Sequence, residues 1–375
     1  MKVLFTPSPG LGHLFPTVPL AQALRAAGHE VRYATGGLSL AAAEAGFNTV
    51  DATPGLDYAE VFMPEGIDGD RPVFSHDPAG AELARLFGRV SDFMVDGIVR
   101  AAREWRPDLV VSPVLQGGGP CAAETLGVPW IELPLGPEDS APGMATDVRA
   151  AMSRAEGAPP APAARVSTLP PSLAEALDTD KRPRGAWPMR FLPHNGTMAL
   201  PEWLSRPSDS PRIVVTLGSI EAMFDGIAVL APLLSEAGRT DAEFVVTLGG
   251  GDPELLGELP GNVRLVEWIP LDALLATASA IIHHGGTGTM LTALACGVPQ
   301  CVIPQGSYQR IAADAVEKAG VGVSAAPDSV GEVQFARLLE EDLRRRVREV
   351  RAEMLAMPTP SDVAARVTAL IEDGR

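Results

Sequence analysis

Short β-branched and apolar runs, each stopped by glycine or proline, alternate along this chain with longer segments of helical period. Residues 3–6 are the first such run. A Pro/Gly loop follows, residues 18–27 place apolar side chains on a helical spacing, Gly28 ends the helix, and residues 30–34 supply the next strand. Strand, helix and strand in that order predict a βαβ unit with parallel strands. Residues 107–112 and 127–132 repeat the theme around a helix-like segment at 121–126. Residues 52–92 and 136–186 lose period and gain Pro, Gly and Met, which predicts loops or irregular helices over a pocket. Prolines, a glycine and serines cluster over 193–211, where a linker is expected. Strands then resume at 212–217, 244–248, 263–266, 280–283 and 300–303, and a last amphipathic helix covers 363–371. The pattern predicts two α/β halves alike in architecture without being sequence repeats.

Length and charge narrow this picture. At 375 residues the chain can form two domains that each bury a core. With 30 Lys and Arg against 47 Asp and Glu the net charge is −17, which argues against nucleic acid and anionic lipid as partners. Cys121, Cys296 and Cys301 lie in apolar stretches without metal-ligand spacing, so reduced thiols and a cytoplasmic protein are expected. The apolar start at residues 3–6 is too short for a signal peptide and reads as a strand, and no run approaches a membrane span.

Chemistry concentrates at residues 281–289, Ile-Ile-His-His-Gly-Gly-Thr-Gly-Thr. A strand runs there into a glycine loop that opens a helix. Gly285, Gly286 and Gly288 let the backbone approach a ligand, first-turn N–H groups point outward, and an imidazole and two hydroxyls add donors. A diphosphate is the expected occupant. The triplet Asp68-Gly69-Asp70 sits in a Gly/Pro-rich stretch without an adjacent strand, and no metal is expected at it.

Residues 266–309 carry Trp-Ile-Pro, His-Gly-Gly-x-Gly-Thr and Gly-x-Pro-Gln in one order and spacing. This segment resembles the donor-binding signature of the nucleotide-sugar glycosyltransferases of GT-B fold, and is most similar to the actinomycete enzymes that decorate antibiotics. The resemblance implies an α/β fold of two facing Rossmann-like domains with a cleft between them. It implies an acceptor-binding domain at 1–195, a linker at 196–211, a donor-binding domain at 212–357, and a C-terminal helix at 358–375 that returns to the first domain. On the donor side it assigns the diphosphate to His284, with loop contacts from Gly286, Thr287, Gly288 and Thr289. Trp268 stacks on the pyrimidine, and the backbone of Ile269 reads the base edge; Ser219, at the end of the first strand of the second half, is either a further phosphate donor or a simple turn former. His283 is read as structural. Uridine-diphosphate members carry glutamate where this chain has Thr292, so a dTDP donor is favoured: a 2′-deoxyribose lacks one of the two hydroxyls a carboxylate would grip. The usual Asp-Gln pair for the transferred sugar reads Tyr308-Gln309, a hint of a deoxysugar. The alternative is a changed loop path that brings in another acid such as Asp314.

On the acceptor side the resemblance makes His13, in Gly10-Leu11-Gly12-His13, the catalytic base of an inverting transfer. The family's acid partner is missing, because Pro113 stands in its place. Asp108 belongs at the opposite sheet edge, Gln116 is uncharged, and Glu132 or Asp139 are the remaining candidates. A lone histidine favours a relatively acidic acceptor such as a phenol. Phe62, Met63, Phe74, Phe87, Phe93, Met94, Met144 and Met152 could line an apolar acceptor pocket, or pack as core or lid. The expected function is metal-independent transfer of a deoxysugar from a dTDP-sugar, as co-substrate without other cofactor, to an apolar small-molecule aglycone of antibiotic or polyketide type. Two other readings fit the same residues: a nucleotide-sugar epimerase of this fold, and an inactive donor-binding partner that activates another transferase. Sugar, aglycone, linkage atom and homodimer formation stay open.

Overall fold

The computed structural model describes residues 1–56, 81–137, 143–177, 185–206, 208, 210–218 and 226–373, without the side chains of Ser307 and Tyr308. The chain divides into two compact units. The first comprises Met1–Leu169, Thr179–Leu192 and Met357–Arg375; the second comprises Pro170–Asp178 and Pro193–Ala356.

In the first unit β1 (Lys2–Phe5), β2 (Glu30–Thr35), β3 (Asn48–Asp51), β4 (Leu109–Pro113), β5 (Trp130–Leu133), β6 (Ala164–Ser167) and β7 (Trp187–Pro188) form one sheet. Its order is β3-β2-β1-β4-β5-β6-β7, with every pair parallel. Val3, Phe5, Val111 and Ile131 from adjacent strands pack on Val18, Ala21 and Leu24 of the helix Val18–Ala26. Central strands buried on both faces read as unbroken apolar runs, which is why β1 and β4 were legible. Strands β3, β6 and β7 sit toward the edges with mixed sequences; β6 fell inside a segment read as irregular, and β3 and β7 border such segments.

The helix Ala81–Trp105 corrects that reading most plainly. Its buried positions Phe87, Val90, Met94, Ile98, Ala101 and Trp105 recur every three or four residues. Two glycines hid the stripe. A Cβ on Gly97 would lie 1.9 Å from the Ala52 carbonyl oxygen, and one on Gly88 would lie 2.6 Å from Ala151 Cβ, so both are points of close approach.

In the second unit β8 (Arg212–Thr216), β9 (Glu243–Thr247), β10 (Val263–Val266), β11 (Ala280–His283), β12 (Gln300–Val302) and β13 (Gly322–Ser324) form a parallel sheet. Its order is β10-β9-β8-β11-β12-β13. Both sheets therefore reverse their strand order beside their first strand, between β1 and β4 and between β8 and β11. Loops leaving the carboxyl ends at such a reversal diverge and open a crevice, the usual ligand position in open α/β sheets.

Besides the crossings at 192–193 and 356–357, the chain makes an excursion between the units that the sequence did not mark. Residues 170–178 belong to the second unit, where Glu353 accepts hydrogen bonds from Ser172 N (2.9 Å) and Oγ (2.6 Å). Residues 179–192 then return to the first unit, and the crossing into the second falls at 192–193. The last helix, Pro360–Asp373, buries Val363, Val367 and Ile371 in the first unit's core.

Candidate functional site

The loop after β1 leads into the four-residue turn Leu11–Leu14, which carries His13. Gly10 starts this turn, and its carbonyl accepts from His13 N (2.9 Å) and Leu14 N (3.1 Å). The imidazole lies 4.8 Å, centroid to centroid, from the Phe87 ring of the long helix. Its Nδ1 is buried without a hydrogen-bond partner. Burial alone holds the imidazole down at about 4 from an ordinary 6.5, so the ring is neutral at physiological pH.

None of the described acids weighed as its partner reaches it. Asp108 accepts from Lys2 N (2.7 Å) at the amino end of β1, the opposite edge of the sheet. Glu132 is engaged on the neighbouring strand, where it pairs with Arg165. Gln116 does lie in the loop after β4, but its Oε1 accepts from Gly118 N (2.8 Å) and its Nε2 donates to Ser8 Oγ (3.3 Å) and faces Met94 Sδ (3.0 Å). It braces the loops instead of pairing with the imidazole. Asp139 lies outside the described residues.

In the second unit β11 ends at His283, and Gly286 begins the helix Thr287–Cys296. His283 is structural. It is wholly buried, its Nδ1 accepts from Gly285 N (3.1 Å), and its Nε2 donates to Gln300 Oε1 (2.9 Å). Those two bonds require the neutral ring, and burial, with His284 beside it, brings His283 down to about 3.

His284 is clasped between glycines. A Cβ on Gly218, at the end of β8, would stand 2.9 Å from His284 Cε1, and one on Gly286 would stand 2.4 Å from Nε2. Only two residues without side chains allow the ring this position. The helix Thr287–Cys296 has no side-chain cap and no acid in its first turn, and beside Gly288 there is open space. Gly286, Gly288 and Thr289 keep partial exposure there. At the other end Gly297 adopts a left-handed conformation and Arg351 Nε donates to Ala295 O (2.8 Å). The helix thus presents its positive end next to His284, with no cap from the Gly286 position and no acid in its own first turn.

Trp268 follows β10 with 38% of its surface exposed, while Ile269 is buried. Glu267 braces the loop opposite, accepting Gly250 N on Oε1 (3.0 Å) and Gly249 N on its carbonyl (3.1 Å). Two of the expected donor-site residues lie inside the protein. Thr292 is wholly buried and its hydroxyl donates to Gly288 O (2.6 Å), so it presents no group at the surface. Gln309 is also buried, and its Oε1 accepts from Gln305 N (2.6 Å) and Gly306 N (3.1 Å) at the start of the helix Ser307–Lys318. Ser219, Asp68 and Asp70 lie outside the described residues, as does the side chain of Tyr308. Among the described residues no group of three or more His, Cys, Asp or Glu is placed to hold a metal ion, and no helix is long and apolar enough to cross a membrane.

Two parallel α/β units, one with a glycine-clasped histidine beside an open helix end, define a protein of the GT-B glycosyltransferase class. The chain belongs to the erythromycin biosynthesis protein CIII-like family, matching its N-terminal domain over residues 22–218 and its C-terminal domain over residues 231–370. It is 36% identical to the elloramycin glycosyltransferase ElmGT of Streptomyces olivaceus, over 98% of this chain and 97% of that one. Among solved structures it resembles the glycosyltransferase SnogD of Streptomyces nogalater, with 52% identity, a TM-score of 0.86 and 99% of each chain covered. A structure of the Streptomyces sp. SF2575 glycosyltransferase SsfS6, complexed with thymidine diphosphate, matches with a TM-score of 0.79 at 27% identity, over 98% of this chain and 99% of that one. The protein is a nucleotide-sugar-dependent glycosyltransferase of natural-product biosynthesis.

Proposed function

We propose that this enzyme transfers a deoxysugar from a dTDP-sugar to an apolar small-molecule acceptor, with inversion and without a metal ion. The observation that carries the donor assignment is the His284 ring held between Gly218 and Gly286 at an uncapped helix end. Such a site meets a diphosphate with an imidazole, outward N–H groups and a helix dipole, which can stabilise the leaving group in place of a cation. Trp268 offers an exposed face for the pyrimidine. A dTDP donor is supported by the absence of any carboxylate at Thr292, whose hydroxyl is taken up by the helix backbone, and by the thymidine diphosphate bound in SsfS6.

His13 is the base of this reading. As the acceptor oxygen bonds to the anomeric carbon, its proton passes to the neutral imidazole. The bond from that carbon to the diphosphate oxygen breaks on the opposite face, and its electron pair stays with the diphosphate. The resulting imidazolium would sit against Phe87, with no carboxylate of the described residues bonded to it. Such a base removes a proton best from an acidic hydroxyl, which points to a phenol with a pKa near ~10 over an aliphatic alcohol.

Calorimetry with dTDP and UDP in the presence of EDTA tests the donor site. Metal-free binding that favours dTDP is expected; equal binding of both, or none, overturns it. Turnover by the purified chain with matched phenolic and aliphatic acceptors tests the base, and the anomeric configuration of the product tests inversion.

A further inference from the structure

The turn that carries His13 is hydrogen-bonded to a residue that follows a different strand. Ser39 sits in the short 3-10 helix Gly37–Ala42 after β2 and is wholly buried. Its Oγ accepts from Gly10 N (2.9 Å), and its single hydrogen faces Ser8 O (2.7 Å) and Gly10 O (2.9 Å). Gly10 is the residue whose carbonyl receives His13 N and Leu14 N and so seeds the turn. Beneath it, Ser8 Oγ donates to Leu115 O (2.7 Å) and accepts from Gln116, which ties the same loop to the one after β4. Ser8, Ser39 and Gln116 are all buried, and all are neutral.

We propose that Ser39 is a positioning residue for the transfer reaction, setting the His13 imidazole through the backbone of Gly10. In an acid-paired histidine a carboxylate bonded to the ring fixes its orientation. Among the described residues no carboxylate is bonded to the ring, which is held by the contact with Phe87 and by the path of the turn. Whatever fixes Gly10 therefore fixes the base. The only side-chain hydroxyl bonded to Gly10 among the described residues is that of Ser39. The inference rests on His13 being the base, as proposed above.

The test is a double-mutant cycle on the full chain with a phenolic acceptor, using Ser39→Ala, His13→Ala and the pair. Displacing a catalytic group by about 1 Å costs on the order of 100-fold, so Ser39→Ala should lower kcat by ~10- to 100-fold. Affinity for dTDP, read by calorimetry, should not change. In the His13→Ala background Ser39→Ala should cost nothing further, because the group it positions is gone. The deficit should also shrink as acceptors become more acidic and depend less on the base, and Ser39→Thr, which keeps the hydroxyl, should recover turnover. Should Ser39→Ala not fold, Ser39→Cys, of similar size with a weak S–H donor, carries the same cycle. Wild-type kcat in the Ser39 variant, or an equal loss in both backgrounds, overturns the assignment of Ser39 and leaves His13 as base. Full turnover by His13→Ala overturns the base itself, and this inference with it.

Discussion

Gly218 carries two constraints at once: a left-handed φ of +74° and the His284 ring packed against it. Alanine there costs about 1–2 kcal/mol of backbone strain, and its Cβ must push the imidazole aside. We expect Gly218→Ala to remain folded, with its unfolding free energy lowered by about that amount in urea titration, while its calorimetric affinity for dTDP falls at least ~10-fold. Proton linkage gives a second test. His13 and His283 are held by burial near about 4 and about 3, against 6.5 for the unfolded residue. Between those values and 6.5 the unfolded chain binds protons that the folded chain refuses, so the stability these two residues contribute is complete above 6.5. It is lost progressively as the pH falls through that window. Urea midpoints measured down that range should decline, and more shallowly in His13→Gln. The same shift keeps His13, the proposed base, neutral in mild acid, so the acid limb of kcat/KM should fall well below pH 6.5.

Among the elements, the helix Ala81–Trp105 shows how a sequence signal is masked by packing. Glycine in a helix interior costs roughly 1 kcal/mol relative to alanine, which argues against a helix wherever propensity is the guide. At Gly97 the cost is accepted because the Ala52 backbone passes where a Cβ would be, at 1.9 Å. Gly97→Ala therefore sets a gain of about 1 kcal/mol in propensity against an overlap with backbone that cannot move as a side chain can. Overpacking wins in this balance. The variant should lose ~1–3 kcal/mol of stability, read from the urea midpoint, although it improves the helix on paper. The helix Thr287–Cys296 shows the opposite case. Its start at a glycine loop was legible, since such a signal is local. What its side chains do was not legible. The hydroxyl of Thr292 turns back to Gly288, and the Gln309 amide caps a neighbouring helix.

At the scale of the whole molecule, the first unit is completed by the last stretch of chain. Val363, Val367 and Ile371 fill the core beside Val18, Leu20 and Ala21, and Arg366 lies over the Trp187 ring at 4.1 Å. Burying each of those three side chains contributes on the order of 1.5–3 kcal/mol. Truncation after Met357 should therefore destabilise the first unit, giving a lower-temperature calorimetric transition and binding of a hydrophobic dye. The second unit contains the proposed nucleotide site within residues 193–356 and should keep its own transition and its affinity for dTDP.

The strands at the centre of each sheet, the glycine loop at 284–288 and the histidine in the loop after β1 were readable from residue order alone. Each depends on contacts within a few residues: apolar runs for strands buried on both faces, glycines for tight loops, caps for helix ends. The remaining features depend on groups far apart in sequence that meet only when the sheets form. Ser39 reaches Gly10 across 29 positions, and Ser8 reaches Leu115 across 107. Glu132 was a candidate partner for His13 until strand register paired it with Arg165. A local pattern can announce a loop that binds anions or carries a base. Which buried group holds that loop, and which acid is already spent elsewhere, is decided by strand order and register, because hydrogen bonds reach only ~3 Å and folding alone brings such groups that close.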